Sequence, residues 1–344
     1  MHLSDFSTLL LYEPSTLIAM ILLSGVITVN GWTDAPTAIA TCITTKSLSP
    51  KKAILLASVM NFIGVTVMSL LSGKVSETVS DITDFGNNAD IACLTLCASM
   101  VTIIVWAVTA WFFGIPTSES HALIASLSGA SVALSHDFSS ISTQEITKVI
   151  YGLFISTGLG FVLGYISAKL TSSLIKNKDR LTTDNYFRYL QKIAAAFMAF
   201  MHGAQDGQKF IGVFFLIKSY SSLIKEFNNF SLIVYVSLLM AAGTSVGGMR
   251  IIKTMGDDMV KLKKHQGFAA DFSGACSLLF STLTGLPVST THTKTTAIMG
   301  VGMADRKSRV DWKIAKEMIY TWILTFPGCG FLGYLITRIF LTVR

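Results

Sequence analysis

Charged side chains are scarce in this sequence. Only 14% of its 344 residues are Asp, Glu, Lys or Arg, where soluble domains carry about 25%. So few charges cannot cover a water-facing surface, which excludes an ordinary soluble enzyme or binding domain. Cysteine is sparse too. Cys42, Cys93, Cys97, Cys276 and Cys329 lie in or beside apolar runs with no metal-ligand spacing, and they read as small packing residues. The glycines form no phosphate-loop pattern. Gly158, Gly160 and Gly164, with Gly243, Gly247 and Gly248, read instead as places of close helix contact. The first apolar run, 15–29, lacks a basic flank and a small-residue cleavage site, so no cleavable signal peptide is expected.

Apolar residues make up 51% of the chain, and the mean hydropathy is +0.58. Runs at 15–29, 53–71, 91–113, 150–170, 232–249 and 314–335 approach or exceed the roughly 20 residues that cross a bilayer as a helix. The sequence predicts an all-α polytopic membrane protein. Its net charge of +7 raises nucleic acid as a partner, but Lys and Arg cluster in short loops between apolar runs, which is the positive-inside pattern. Membrane lipid is the expected surroundings, and no nucleic acid is expected.

An internal repeat organises the chain. Asn30-Gly-Trp-Thr-Asp34 and His202-Gly-Ala-Gln-Asp206 each place an Asp three residues after a Gly at the end of an apolar span. Gly114-Ile-Pro-Thr-Ser-Glu-Ser-His121 is then matched by Gly285-Leu-Pro-Val-Ser-Thr-Thr-His292. Asp34 to Pro116 is 82 residues, and Asp206 to Pro287 is 81. Two unrelated motifs recur in one order at almost one separation. Basic residues concentrate at 46–52, 169–192, 250–264 and 305–316, whereas 74–90 carries Glu77, Asp81, Asp84 and Asp90 against one Lys. Threading the chain with basic loops in the cytoplasm gives about five crossings per half, of opposite sense. The prediction is two inverted-topology repeats with broken or re-entrant helices at the midplane, a mark of secondary transporters. The repeats are placed at 1–175 and 190–344, joined by a cytoplasmic linker at 176–189. Both termini are expected outside the cell membrane.

Asp34 and Asp206 carry the strongest chemical signal, because a carboxylate in a span costs about 2.5–3.5 kcal/mol on insertion scales. The alternative is an interfacial residue reaching for water. Their expected role is to bind a coupling cation or carry a proton, which makes both candidate metal ligands if the ion is Na+. Pro116 and Pro287 should break a helix. Ser118, Ser120, Ser289, Thr290 and Thr291 would then surround new helix starts, where free amides and hydroxyls suit an anion. Routine capping is the alternative. His121, His292 and His202 read either as titrating groups or as structural hydrogen-bond partners. Glu119 reads as a proton carrier or as a first-turn acid that suits the helix dipole. Asn30, Thr33, Thr37, Thr41, Thr44, Thr45, Gln205 and Gln208 add polar atoms near the two acids, with helix packing as the alternative for each. Lys209 is expected to pair with Asp206 or the anion, or to snorkel.

An intramembrane enzyme built from Ser118 or Ser289 with a histidine is disfavoured, because catalysis has no need of duplication in two inverted halves. A channel is the third class; it would pass its ion without accumulation.

Together these residues resemble the PiT family of inorganic phosphate transporters. The likeness rests on Asp34-Ala-Pro-Thr-Ala-Ile-Ala-Thr41, Leu48-Ser-Pro-Lys-Lys-Ala53, Asn61-Phe62 with Gly64, and His202-Gly-Ala-Gln-Asp-Gly-Gln-Lys209. It extends through Gly243-Thr-Ser-Val-Gly-Gly-Met-Arg-Ile-Ile-Lys-Thr-Met-Gly256, Gly267-Phe-Ala-Ala-Asp271 and the 285–292 run. It spans nearly the whole chain. The resemblance implies an inverted-repeat fold with the ligand between its halves, and symport of phosphate with transported Na+ or H+ and no bound cofactor. It also admits a neutral metal–phosphate cargo, sulfate as the alternative anion, and a homodimer. The chain departs from the family pattern at Thr33, Pro36, Thr37 and Gln205, changes that keep polar oxygens but alter their reach. A phosphate hydroxyl can meet a carboxylate at Asp34 or Asp206. Sulfate has no such proton, which favours phosphate.

Overall fold

Three kinds of signal in the sequence set the helix boundaries. Proline opens the helices at Pro14, Pro36 and Pro50, where a missing N–H costs nothing. Side-chain caps from Asn88, Ser118, Ser142, Asp179, Asn228 and Ser289 start six more. Glycine closes others: Gly114, with φ of 69°, caps the helix before it, and left-handed backbone strains any residue with a Cβ.

The structure is a computed structural model that describes residues 11–225, 227–255, 259–305 and 310–343. Parts of two expected basic loops, 256–258 and 306–309, lie outside the described residues. The first half contains α1 (Pro14–Thr33), α2 (Pro36–Thr44), α3 (Pro50–Leu71), α4 (Lys74–Ser80), α5 (Ala89–Phe113), α6 (Glu119–Ser135) and α7 (Thr143–Ile175). The second contains α8 (Arg180–Tyr220), α9 (Asn229–Val246), α10 (Met249–Lys253), α11 (Lys264–Leu283), α12 (Thr290–Ala304) and α13 (Trp312–Val343). Six stretches of the described residues are long and apolar enough to cross a membrane: Pro14–Thr44, Pro50–Leu71, Ala89–Phe113, Thr143–Ile175, Asn229–Val246 and Trp312–Thr342. The chain is therefore an all-helical, multi-pass membrane protein. Outside these six, α8 is the longest helix among the described residues; it has 41 residues and extends about 60 Å at 1.5 Å per residue.

Helices that carry the duplicated motifs pack in matching pairs. α6 packs along α13 and α12 along α7; α3 packs along α8 and α9 along α1. One difference stands out. The first half breaks between α1 and α2, whereas α8 runs unbroken through Asp206. Pro36 accounts for this, because it has no N–H to continue the ladder. The joint expected at 176–189 is shorter than the sequence suggests. α8 is already helical from Arg180, leaving only 176–179 between α7 and α8.

Large apolar side chains are exposed along α3, α7 and α13, among them Leu55, Val59, Phe154, Val162, Leu324 and Phe331. Buried positions hold many hydroxyls, amides and charges instead. Such an arrangement suits lipid outside and a polar interior. Glycine brings the helices together at equivalent places in the two halves. A Cβ at Gly129 on α6 would collide with the Gly330 carbonyl of α13, and one at Gly300 on α12 with the Phe161 carbonyl of α7. Gly160, Gly164, Gly243 and Gly248 likewise meet backbone, as their sequence context suggests. Gly158 and Gly247 differ. Gly158 faces open space, and Gly247 is held at φ of 74° in left-handed backbone, with side-chain atoms of Ile54 close to it.

Gly164→Leu should therefore lower stability by about 1–3 kcal/mol through overpacking against α12, while Gly158→Leu should leave it unchanged. Thermal unfolding of both variants in detergent checks the contrast.

Candidate functional site

The duplicated Gly-x-Pro segments build the same local structure twice. After α5, the Ile115 amide donates to the Ala110 carbonyl at 2.9 Å; after α11, the Leu286 amide donates to the Ser281 carbonyl at 2.9 Å. Both are the wide bond of a Schellman-type helix end, with Gly114 and Gly285 in left-handed backbone. The proline then keeps the chain extended until a serine starts the next helix. Ser118 Oγ accepts from the His121 amide at 3.2 Å, and Ser289 Oγ from the His292 amide at 3.2 Å. The starts of α6 and α12 are thereby fixed, with first-turn amides beyond those the caps satisfy. Ser118 and Ser289 act as caps here, the role weighed against anion contact; each hydroxyl proton stays free to donate.

Asp34 and Asp206 meet beside these helix starts. Asp34 is 3% exposed and Asp206 is 1% exposed. Thr291 Oγ1 donates to Asp34 Oδ1. Thr290 Oγ1 lies 3.4 Å from Asp34 Oδ2 and 3.3 Å from Asp206 Oδ2, so one hydroxyl spans both acids and can donate to only one at a time. Lys209 Nζ is 2.7 Å from Asp206 Oδ1, which settles Lys209 as a buried ion-pair partner and not a snorkelling residue. Ser120 Oγ is 3.3 Å from the same oxygen, and Asn30 Nδ2 is 3.5 Å from Oδ2. His202 Nε2 stands 3.4 Å from Asp206 Oδ2 without hydrogen-bond alignment. Ligating atoms of Asp34, His202 and Asp206 all fall within 4.8 Å of one another. Glu119, 3% exposed, accepts from Thr33 at Oε1.

Three acids and one ammonium give the cluster a formal surplus of negative charge. In a dry interior such a surplus attracts a cation or proton. Several buried polar atoms here have no partner among the described residues: Asn30 Oδ1, Thr37 Oγ1, Glu119 Oε2, Gln205 Oε1 and both amide atoms of Gln208. Gln205 uses only its Nε2, which donates to the Leu286 carbonyl at 3.0 Å. Buried polar atoms are nearly always satisfied, so this set is suited to a polar guest.

The paired histidines sit differently from the hydrogen-bonding alternative set out for them. His121 and His292 pack edge to face, with centroids 4.7 Å apart, and His292 stacks on Trp322 at 3.9 Å. Their ring nitrogens have no partner among the described residues. A second buried charge pair escaped the sequence reading. Lys294 on α12 pairs with Asp271 on α11, and Asp271 also accepts from Thr41 on α2. A signal was available: a lysine two residues after a motif histidine, in a segment expected at the membrane midplane, is costly unless paired.

Comparison with known proteins agrees with this architecture. A profile described as the phosphate transporter family matches residues 30–333. A Bacillus subtilis (strain 168) protein named "Probable low-affinity inorganic phosphate transporter" is 34% identical, covering 89% of this chain and 91% of its own length. A Rhizobium meliloti (strain 1021) protein of the same name is 37% identical, covering 89% and 90%. A solved structure titled "The sodium-dependent phosphate transporter" superposes with a TM-score of 0.82 at 16% identity, covering 96% of this chain and 100% of that one, which is a likeness of fold. With buried acids and capped helix starts in this arrangement, and a family match across most of its length, the chain is a membrane transporter that belongs to the phosphate transporter family.

Proposed function

We propose that this protein takes up inorganic phosphate by symport with a monovalent cation, Na+ or H+. The observation that carries the reading is the meeting of Asp34 and Asp206 between the starts of α6 and α12. Anion-attracting amides and hydroxyls there face cation-attracting carboxylates, so phosphate and a cation would each lower the cost of the other. Ser118, Ser120, Ser289, Thr290, Thr291, Thr37 and Gln208 are the proposed anion contacts. Asp34, Asp206, Asn30, Thr33, Gln205 and Glu119 are the proposed cation or proton groups, supported by His121, His292, His202 and Lys209. The names of the relatives support phosphate, and none of those quoted supports sulfate. A protonated phosphate oxygen can donate to Asp34 or Asp206, where sulfate would leave an acceptor unmet.

The reciprocal packing of the two halves supports an inverted-repeat reading, with one half at 1–175 and the other from 190 onward. In that reading the basic loops and the joint near 176–189 are cytoplasmic and the termini external. The central site would open alternately to each side as one half rocks against the other.

Purified protein in liposomes should concentrate phosphate when a sodium or a proton gradient is imposed, and the gradient that works names the ion. Arsenate should compete and sulfate should not. Accumulation of sulfate without phosphate would overturn the anion, and phosphate flux that only equilibrates would make the protein a channel. A strict requirement for a divalent metal would instead identify a metal–phosphate cargo.

Asp34→Asn and Asp206→Asn should each lower initial gradient-driven uptake by at least about tenfold, the effect of roughly 1.4 kcal/mol. Initial rates normalised to reconstituted protein check this, and wild-type rates in both variants would remove the acids from the mechanism.

A further inference from the structure

The two halves treat their buried acids differently. In the second half, Asp206 and Asp271 each carry an ammonium from the same half, Lys209 and Lys294. In the first half, Asp34 and Glu119 accept from the hydroxyls of Thr291, Thr290 and Thr33. No lysine or arginine lies within ion-pair distance of either among the described residues. The repeat makes the comparison residue by residue. Thr37 stands three residues after Asp34, where Lys209 stands after Asp206. Leu123 stands two residues after His121, where Lys294 stands after His292.

Lys209 is 1% exposed, and its ammonium is fully engaged. It donates to Asp206 Oδ1 at 2.7 Å, and to Ser120 Oγ and the Val288 carbonyl at 2.5 Å each. Three donors thus meet three acceptors. A carboxylate, a hydroxyl and a backbone carbonyl converging on one point are also an oxygen set that a hard cation takes. The ammonium occupies the point where such an ion would sit. Its four-carbon stem keeps it there, because it cannot leave with a substrate.

We propose that Lys209 is a tethered cation that permanently fills the second half's ion position. This rests on the symport reading above and narrows its cation groups: the exchangeable cation is left to Asp34 and Glu119 in the first half, and Asp206 holds the resident ammonium. Each coupled ion multiplies the attainable phosphate gradient by that ion's electrochemical ratio. A resident ammonium therefore lowers the number of ions moved per phosphate by one, which spends fewer ions on each phosphate and lowers the steepest phosphate gradient that a given ion gradient can sustain.

Lys209→Thr places at this position the residue that stands at 37. In liposomes, the variant should move one more cation, Na+ or H+, per phosphate than the wild type, read from the membrane potential at which net phosphate flux stops at fixed Na+, pH and phosphate gradients. Lys209→Arg, which keeps the charge, should retain the wild-type ratio whatever its rate. An unchanged ratio in Lys209→Thr overturns the proposal. A variant that folds but does not transport is titrated with NaCl against choline chloride in detergent. A saturable rise in unfolding temperature beyond that of the wild type supports the tethered cation, and matching curves overturn it. A variant that can be purified in NaCl but not in choline chloride also supports it; one that fails in both overturns it. Absence of phosphate uptake by the wild type would refute the symport reading alone, since the detergent titration reads the cation position directly.

Discussion

Carboxylates held away from water are the constraint around which this protein is arranged. Each costs about 2.5–3.5 kcal/mol to place in a membrane span, and Asp34, Asp206 and Glu119 stand in one buried cluster. That arrangement persists only if the surroundings supply donors. They come from four elements: Thr33 and Asn30 on α1, Ser120 on α6, Lys209 on α8, and Thr290 and Thr291 on α12. A cluster drawn from so many helices forms only when all of them are packed. The site therefore depends on the tertiary structure.

The helix breaks explain how polar backbone reaches the middle of an apolar protein. An unbroken span satisfies its own amides and offers none to a guest. Glycine and proline, in sequence before a capping serine, stop one helix and start another within a few residues. The same device appears before α12. Close glycine contacts then let α6 and α12 lie deep against α13 and α7. The helix starts are consequently surrounded by protein, where unpaired amides and hydroxyls keep their strength instead of being spent on water.

Much of this was legible from residue order. The apolar runs announced the spans, and the duplicated motifs announced the two capped helix starts at Glu119 and Thr290. The two acids stood out because intramembrane charge is rare. The misses have physical causes. Gly158 lies four residues along the helix from neither of the contact-making glycines Gly160 and Gly164, and its face of α7 looks outward. Lys294 and Asp271 are 23 residues apart on different helices, so nothing local links them. The histidines offered two hydrogen-bonding atoms each, yet ring packing against Trp322 and Phe326 decided their orientation.

Residue order by itself determined what is local. Length and polarity set the spans, proline and glycine set the breaks, and serine set the helix starts, because these effects act within one or two turns of backbone. Tertiary structure alone decided which charges face each other. Whether Lys209 turns to lipid headgroups or to Asp206, and whether Thr290 touches one acid or two, depends on how helices from both halves are brought together. A buried charge takes whatever partner packing leaves within reach, and packing is a property of the whole chain.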